Sequence, residues 1–272
     1  MGRATRDCDA MSGPCDSGKT DLCIVAAVDV EFKIAADLLS ERSFSDEPRM
    51  KILRGLFGKR RVTILQSGMG AVGFFEPLAR HLANNRYDAL IVAGLAGGLD
   101  PKLRVGDAVL YDICYDARAI DFTRRELPDR EGAAAIATDE LLSGFLSGAL
   151  TRSGLPFVQA SGITVGRIVT EAKEKLALGD HYGAAAVDME TYEALSACAR
   201  LGLPAAALRV ISDEAGRDMP DFNRVYNADG RINGWRMLGA MTARPSAALR
   251  FLLTIRHALQ SLRENLQAVM GA

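Results

Sequence analysis

The chain alternates short apolar runs with amphipathic stretches. Leu22–Val28 is apolar and gives way to Asp29–Ser40, where Phe32, Ile34, Ala35, Leu38 and Leu39 recur at helical spacing. Met50–Leu53 and Val62–Gln66 predict strands joined by a turn around Gly58-Lys59-Arg60. Ser67-Gly68-Met69-Gly70 predicts a glycine turn, followed by a helix from about Ala71 to Asn84. Asp88–Ala93 predicts a buried strand running into Gly94-Leu95-Ala96-Gly97-Gly98. Val105–Tyr111 and Phe157–Thr164 predict further strands, and Thr138–Thr151 and Ala172–Gly179 predict helices. Val187, leading into Asp188-Met189-Glu190, and Leu208–Ile211, leading into Ser212-Asp213-Glu214, flank a predicted helix from Tyr192 to Arg200 that Gly202 stops. Strands alternating with helices predict one α/β domain: a mixed, mostly parallel sheet covered by helices. In such sheets ligands sit beyond the carboxyl ends of the strands, where both acidic clusters fall.

The two ends of the chain differ from this body. Residues 1–20 are small and polar and predict a disordered tail. The tail contains Gly13-Pro14-Cys15-Asp16-Ser17-Gly18-Lys19-Thr20, which fits the phosphate-loop pattern letter for letter. That loop needs a strand before it and a helix after it, and here an apolar strand follows instead, so nucleotide triphosphate binding is not expected. Residues 21–244 form the domain. From 245 to 272 the residues Leu252, Ile255, Leu259, Leu262, Leu266 and Val269 repeat at spacings of three and four, with Arg250, Arg256 and Arg263 beside them. This amphipathic C-terminal helix is expected to pack on the body or close a homodimer or higher homo-oligomer; lying on a membrane surface is the alternative.

Composition narrows the function classes. A net charge of −1 excludes a nucleic-acid-binding surface over the whole protein. Cys23 and Cys198 lie in apolar segments and read as buried reduced thiols; with no secretory pattern, a cytoplasmic location is expected. The apolar stretch Ala89–Leu99 is too short to cross a bilayer. His81, His181 and His257 sit in helical polar contexts without ligand spacing, so no metal and no cofactor is expected. No GxGxxG follows the first strand, which argues against a nicotinamide dehydrogenase.

In order along the chain stand Ala26-Ala27-Val28-Asp29-Val30-Glu31, Ser67-Gly68-Met69-Gly70, Gly94-Leu95-Ala96-Gly97-Gly98 with Val105-Gly106-Asp107, Val187-Asp188-Met189-Glu190, and Arg209-Val210-Ile211-Ser212-Asp213. Together they resemble the purine nucleoside phosphorylase and uridine phosphorylase superfamily, most of all its methylthioadenosine/S-adenosylhomocysteine nucleosidase branch, over roughly residues 22 to 215. Gly94 to Pro101, Asp229-Gly230 and the arginine-dotted final helix resemble the hopanoid-associated nucleoside phosphorylases. That resemblance implies release of adenine from adenosylhopane, a lipid-linked nucleoside.

The superfamily resemblance implies roles for particular residues. Asp213 is the expected general acid towards the purine N7, with Ser212 orienting it. Glu190 is the expected carboxylate on the ribose hydroxyls, and Met189 and Met69 lie against the sugar. Glu31 falls where nucleosidases place the acid that holds and deprotonates water, and Arg209 where an arginine braces that acid. Gly68 and Ala96 offer main-chain groups near the sugar. Val169 and Thr170 fall at the base pocket, where the branch usually has an aromatic residue; Phe222 is a candidate to supply the missing ring. Phosphorylases use arginine and a hydroxyl residue around the glycine loop, and Val92 and Leu95 stand there instead. A carboxylate is a poor neighbour for a phosphate dianion. Water is therefore the expected nucleophile. Phosphorolysis of the same bond, methylthioadenosine or S-adenosylhomocysteine hydrolysis, and a catalytically silent nucleoside-binding protein are the alternatives.

Overall fold

The computed structural model describes residues 21–68, 75–120, 130–223, 225, 239 and 241–272. The elements are β1 (Asp21–Ala26), α1 (Asp29–Ala36), β2 (Ser40–Glu47), β3 (Met50–Phe57), β4 (Arg60–Gln66), α2 (Phe75–Asn84), β5 (Ala89–Gly98), β6 (Ala108–Asp116), β7 (Ala135–Ala137), α3 (Glu140–Arg152), β8 (Phe157–Thr164), α4 (Ala172–Tyr182), β9 (Ala186–Asp188), α5 (Thr191–Leu201), β10 (Ala205–Asp213) and α6 (Pro245–Gly271). Residues 1–20 and 69–74, which carry the phosphate-loop pattern and Met69, lie outside the described residues. β1 begins at Asp21, directly after the phosphate-loop pattern, so the strand follows that segment as the sequence indicated.

The ten strands among the described residues join one mixed sheet. Five pairings are parallel and five antiparallel. β5 pairs β9, β9 pairs β8, β8 pairs β6, β6 pairs β10, and β10 returns to β5, so these five strands close on themselves and leave no edge. β1, β4, β3 and β2 extend outward from β5. β2 is nearly all exposed, and its polar sequence SERSFSDE carries no apolar alternation. Only its ladder with β3 makes it a strand, which is why the hydrophobic pattern does not find it.

Helices cover both faces. On one, α2 and α5 supply Leu78, Leu82, Ala194, Leu195 and Cys198 to a core shared with β1, β3, β4, β5, β6 and β10. On the other, α1, α3 and α6 supply Phe32, Leu146, Leu150, Leu262, Leu266 and Val269 to a second core. The C-terminal half of α6 therefore belongs to the protein's own body. Arg60 closes it by donating to the carbonyls of Met270 at 3.1 Å and Ala272 at 2.8 Å, where the helix leaves acceptors without partners. The N-terminal half departs from the expected stripe: Leu252 is exposed, as are its neighbours Leu249 and Leu253. Ala258 and Asn265 take places on the buried face.

Cys23, Cys114 and Cys198 are buried free thiols. His81 departs from the polar context its helix suggested: it is buried, 2.9 Å from Glu47 Oε1 and 2.8 Å from the Tyr87 hydroxyl. No helix among the described residues is long and apolar enough to cross a membrane.

Candidate active site

The carboxyl ends of β1, β5 and β10 point to one rim of the sheet, β9 runs antiparallel to β5 beside Gly97 and Gly98, and the residues around Glu31, Asp188 and Arg209 gather there. Glu31 sits in the first turn of α1 and is buried. Its Oε2 accepts the main-chain N–H groups of Ala27 at 2.9 Å and Val28 at 3.1 Å, and its Oε1 accepts that of Leu95 at 2.7 Å. Part of this is helix capping, since an acid three positions into a helix binds the free amides at its start. The Leu95 bond is different, because it ties α1 to the glycine run of β5. Burial pushes the Glu31 carboxyl above the ordinary carboxylate range, against the opposing pull of Arg209 and the three amides.

Arg209 is fully buried in the middle of β10. Its Nε lies 3.2 Å from Asp188 Oδ2, and its terminal nitrogen donates to Thr191 Oγ1 at 2.7 Å and lies 3.8 Å from Glu190 Oε2. Burial works against the guanidinium charge, but Asp188, Glu190 and Glu31 outweigh it and hold the proton on. Arg209 thus binds the Asp188–Thr191 turn directly and faces Glu31 beside Gly94. Asp188, to which the sequence assigned no role, organises that turn. Its Oδ1 accepts the Thr164 hydroxyl at 2.8 Å and the amides of Glu190 at 3.1 Å and Thr191 at 3.0 Å. Glu190 starts α5 and is buried, whereas Met189 is partly exposed.

Asp213 lies beyond a register shift that places Ile211 opposite Ala96 and Asp213 opposite Gly97. Such irregularities re-aim the side chains that follow them. Ser212 Oγ lies 2.7 Å from Asp213 Oδ1 and 3.1 Å from the Ala96 carbonyl oxygen. Asp213 Oδ2 is held by Lys175, whose side chain is fully buried. Lys175 is one of several charged residues of α4 and carries no motif of its own. A usable signal existed: Lys175 lies in phase with Leu178 and Tyr182, the buried face of that helix.

Arg209 pairs Gly94 and Asp213 pairs Gly97 across the β10–β5 ladder. The two acidic centres are therefore three residues of β5 apart, about 10 Å at strand rise. A cavity of about 480 Å³ opens from Ser212 and Asp213 towards Met219, Phe251 and Leu253. Val169 does not line it and is packed with Leu99, Ile163 and Leu178. The Thr170 carbonyl accepts the Met219 amide at 2.9 Å. Phe222 is buried with its ring 5.2 Å from that of Phe251; Phe251 lines the cavity and Phe222 packs behind it without lining it. Gly68 has φ +80 with open space around its α-carbon, so its conformation, not packing, demands glycine.

Comparisons with known proteins place the chain in a family and a fold. Residues 21–231 match the family described as the phosphorylase superfamily. The chain is 26% identical over 237 residues to a 5′-methylthioadenosine/S-adenosylhomocysteine nucleosidase of Pseudoalteromonas translucida, covering 82% of this chain and 97% of that one. It is 33% identical over 170 residues to a futalosine hydrolase of Thermus thermophilus, covering 60% of this chain and 73% of that one. The fold superposes on a Neisseria meningitidis 5′-methylthioadenosine/S-adenosylhomocysteine nucleosidase in complex with methylthio-immucillin-A, with TM-score 0.70, 20% identity and coverage of 92% and 98%. A Helicobacter pylori futalosine hydrolase superposes with TM-score 0.71, 17% identity and coverage of 93% and 97%. With the matched stretch running from β1 through the Arg209–Asp213 end of β10, the chain belongs to the phosphorylase superfamily.

Proposed function

We propose that this enzyme hydrolyses the N-glycosidic bond of an adenosyl nucleoside, releasing adenine and a free sugar. Cleavage of that bond asks for a proton at the departing base and for negative groups near a sugar that gains positive charge. In this reading Asp213 protonates the base at N7 and Glu190 holds the ribose hydroxyls. Glu31 takes a proton from the attacking water, with Arg209 fixing the acids around it.

The observation that carries water over phosphate is the 2.7 Å bond from the Leu95 amide to Glu31. The glycine-loop N–H that an anion would use is taken by a protein carboxylate. Val92 is buried in the core, and Leu95 presents no hydroxyl. The test is adenine release in phosphate-free buffer. Full activity with free sugar as product is expected, whereas a strict phosphate requirement with a sugar 1-phosphate product establishes phosphorolysis.

For the substrate itself we propose adenosylhopane, a step of hopanoid biosynthesis. Two things support this: the resemblance of Gly94–Pro101 and of the final helix to the hopanoid-associated proteins, and the position of exposed Leu249, Leu252 and Leu253 on the half of α6 that walls the cavity at Asp213. A lipid-bearing 5′ substituent would leave the cavity along that surface, and such a protein would meet the membrane from its face. Adenine release from adenosylhopane, compared with methylthioadenosine and S-adenosylhomocysteine, separates the candidates by kcat/KM.

A further inference from the structure

A lysine with no exposed surface occurs in α4, and its ammonium has three acceptors for its three hydrogens: Asp213 Oδ2, the Glu214 carbonyl at 3.1 Å and the Arg217 carbonyl at 3.0 Å. This is the bonding pattern of a charged lysine, and Asp213 is the countercharge it touches. A buried ammonium needs such a partner, so in the ligand-free protein Asp213 is held as a carboxylate. A carboxylate has no proton to give a purine. The residue assigned to protonate the base is therefore bonded, in its resting state, to a group that carries one.

We propose that Lys175 is a positioning and proton-supplying residue for Asp213. The inference rests on the nucleosidase reading given above. When the base binds against Asp213, the proton passes from Lys175 Nζ to the carboxylate, leaving a neutral amine, and from the carboxyl group to N7. The bond between the sugar C1′ and the base nitrogen breaks, and its electron pair stays on the purine. Water adds to C1′ and gives its proton to Glu31 and then to solvent, from which Lys175 regains one. The net reaction is nucleoside plus water to adenine plus free sugar. Lysine suits this task, since an ammonium can pass one proton on and remain a neutral amine donor, whereas arginine keeps its own. The two carbonyl bonds fix where Nζ stands, and the 2.7 Å contact from Ser212 keeps Oδ1 turned away from it.

Other ionisable groups face this pair. The cavity at Asp213 carries Arg104, Glu214, Arg217, Asp218, Arg250 and His257. On α4 itself Glu174 is bound by Arg167 at 2.8 Å. Among the groups lining the cavity, the His257 imidazole is the other candidate proton donor and the competitor to exclude.

The test is the pH dependence of adenine release by Lys175→Met, Lys175→Gln and His257→Asn beside the unaltered enzyme. Lys175→Gln keeps an amide donor for the backbone carbonyls while removing the transferable proton. The expected result is a kcat lower by at least ~100-fold in both Lys175 variants, with KM within a few fold and the alkaline limb of the profile lost. His257→Asn retains that limb. In the unaltered enzyme the limb shifts with temperature as an ammonium does, not as a carboxyl does, which decides the matter even where the variants do not fold. A kcat within a few fold, an unchanged limb in the Lys175 variants, a limb that follows His257, or a carboxyl-like temperature dependence overturns the proposal. An unaltered enzyme that releases no adenine overturns the nucleosidase reading instead.

Discussion

Glu31 and Arg209 meet beside the bare α-carbon of Gly94. A Cβ at that position would stand 2.7 Å from Glu31 Oε1 and 2.8 Å from an Arg209 terminal nitrogen. The absence of a side chain at residue 94 is what lets the carboxyl group of α1 and the guanidinium of β10 share one buried space.

Gly94→Ala is therefore expected to displace both groups while leaving the sheet intact. A misplacement of about 1 Å at reacting groups costs about 100-fold in rate. Overpacking costs about 1–3 kcal/mol in stability. Steady-state kinetics with thermal unfolding checks this, and a variant with normal turnover would show that the Glu31–Arg209 arrangement is not needed for chemistry.

Asp213→Asn is expected to lower kcat by at least ~100-fold, the usual contribution of a positioned general acid. Adenine affinity should fall much less, because the amide keeps hydrogen bonds to the ring. Turnover and product binding measured on one preparation separate these effects. Retention of most activity would reduce Asp213 to the partner that neutralises Lys175.

Glu31 gives a pH prediction with opposite signs for activity and stability. Burial raises its proton affinity in the folded protein above the unfolded value of 4.5. The folded state then binds more protons than the unfolded one, so this contribution is complete below that value and is lost as pH rises through the raised folded value. Activity runs the other way, because the base must be ionised to take a proton from water. The acid limb of kcat is expected above the ordinary carboxylate range, and Glu31→Gln removes both that limb and the matching pH dependence of stability. Urea midpoints from pH 4 upward, roughly across the carboxylate range, measure the stability part.

Much of this arrangement was legible in the residues, and the exceptions have physical causes. Phe157–Thr164 ends where the alternating pattern places it, because that strand is bounded by Pro156 and by the turn at Gly166. β2 was invisible, since an exposed edge strand needs no apolar face and takes its conformation from its neighbour's backbone. The acids Glu31, Glu190 and Asp213 stood out through their motifs. Asp188, Thr191 and Lys175 did not, because their importance lies in which buried partners they meet, and a single sequence does not show partners. Val169 packs in a core beside Leu99 and Ile163 for the same reason: a valine after a strand end serves a core as well as a pocket.

The final helix allows the last prediction. Removing everything from Pro245 onward deletes Leu262, Leu266, Val269 and Met270 from the second core, so that truncation is expected to give an insoluble chain whatever the helix binds. Burying each such side chain contributes about 1.5–3 kcal/mol, comparable together with a whole domain's stability. The separable test lies in the exposed half, where Leu249 is 60%, Leu252 51% and Leu253 71% exposed. Replacing Leu249 and Leu252, which do not line the cavity, by serine should change stability little, as surface substitutions do, and should leave turnover of a short soluble nucleoside within a few fold. If this face carries the lipid of the substrate, liposome association and turnover of the lipid-linked nucleoside both fall. Loss of self-association in sedimentation, with lipid turnover unchanged, assigns the face to a second copy of the chain instead.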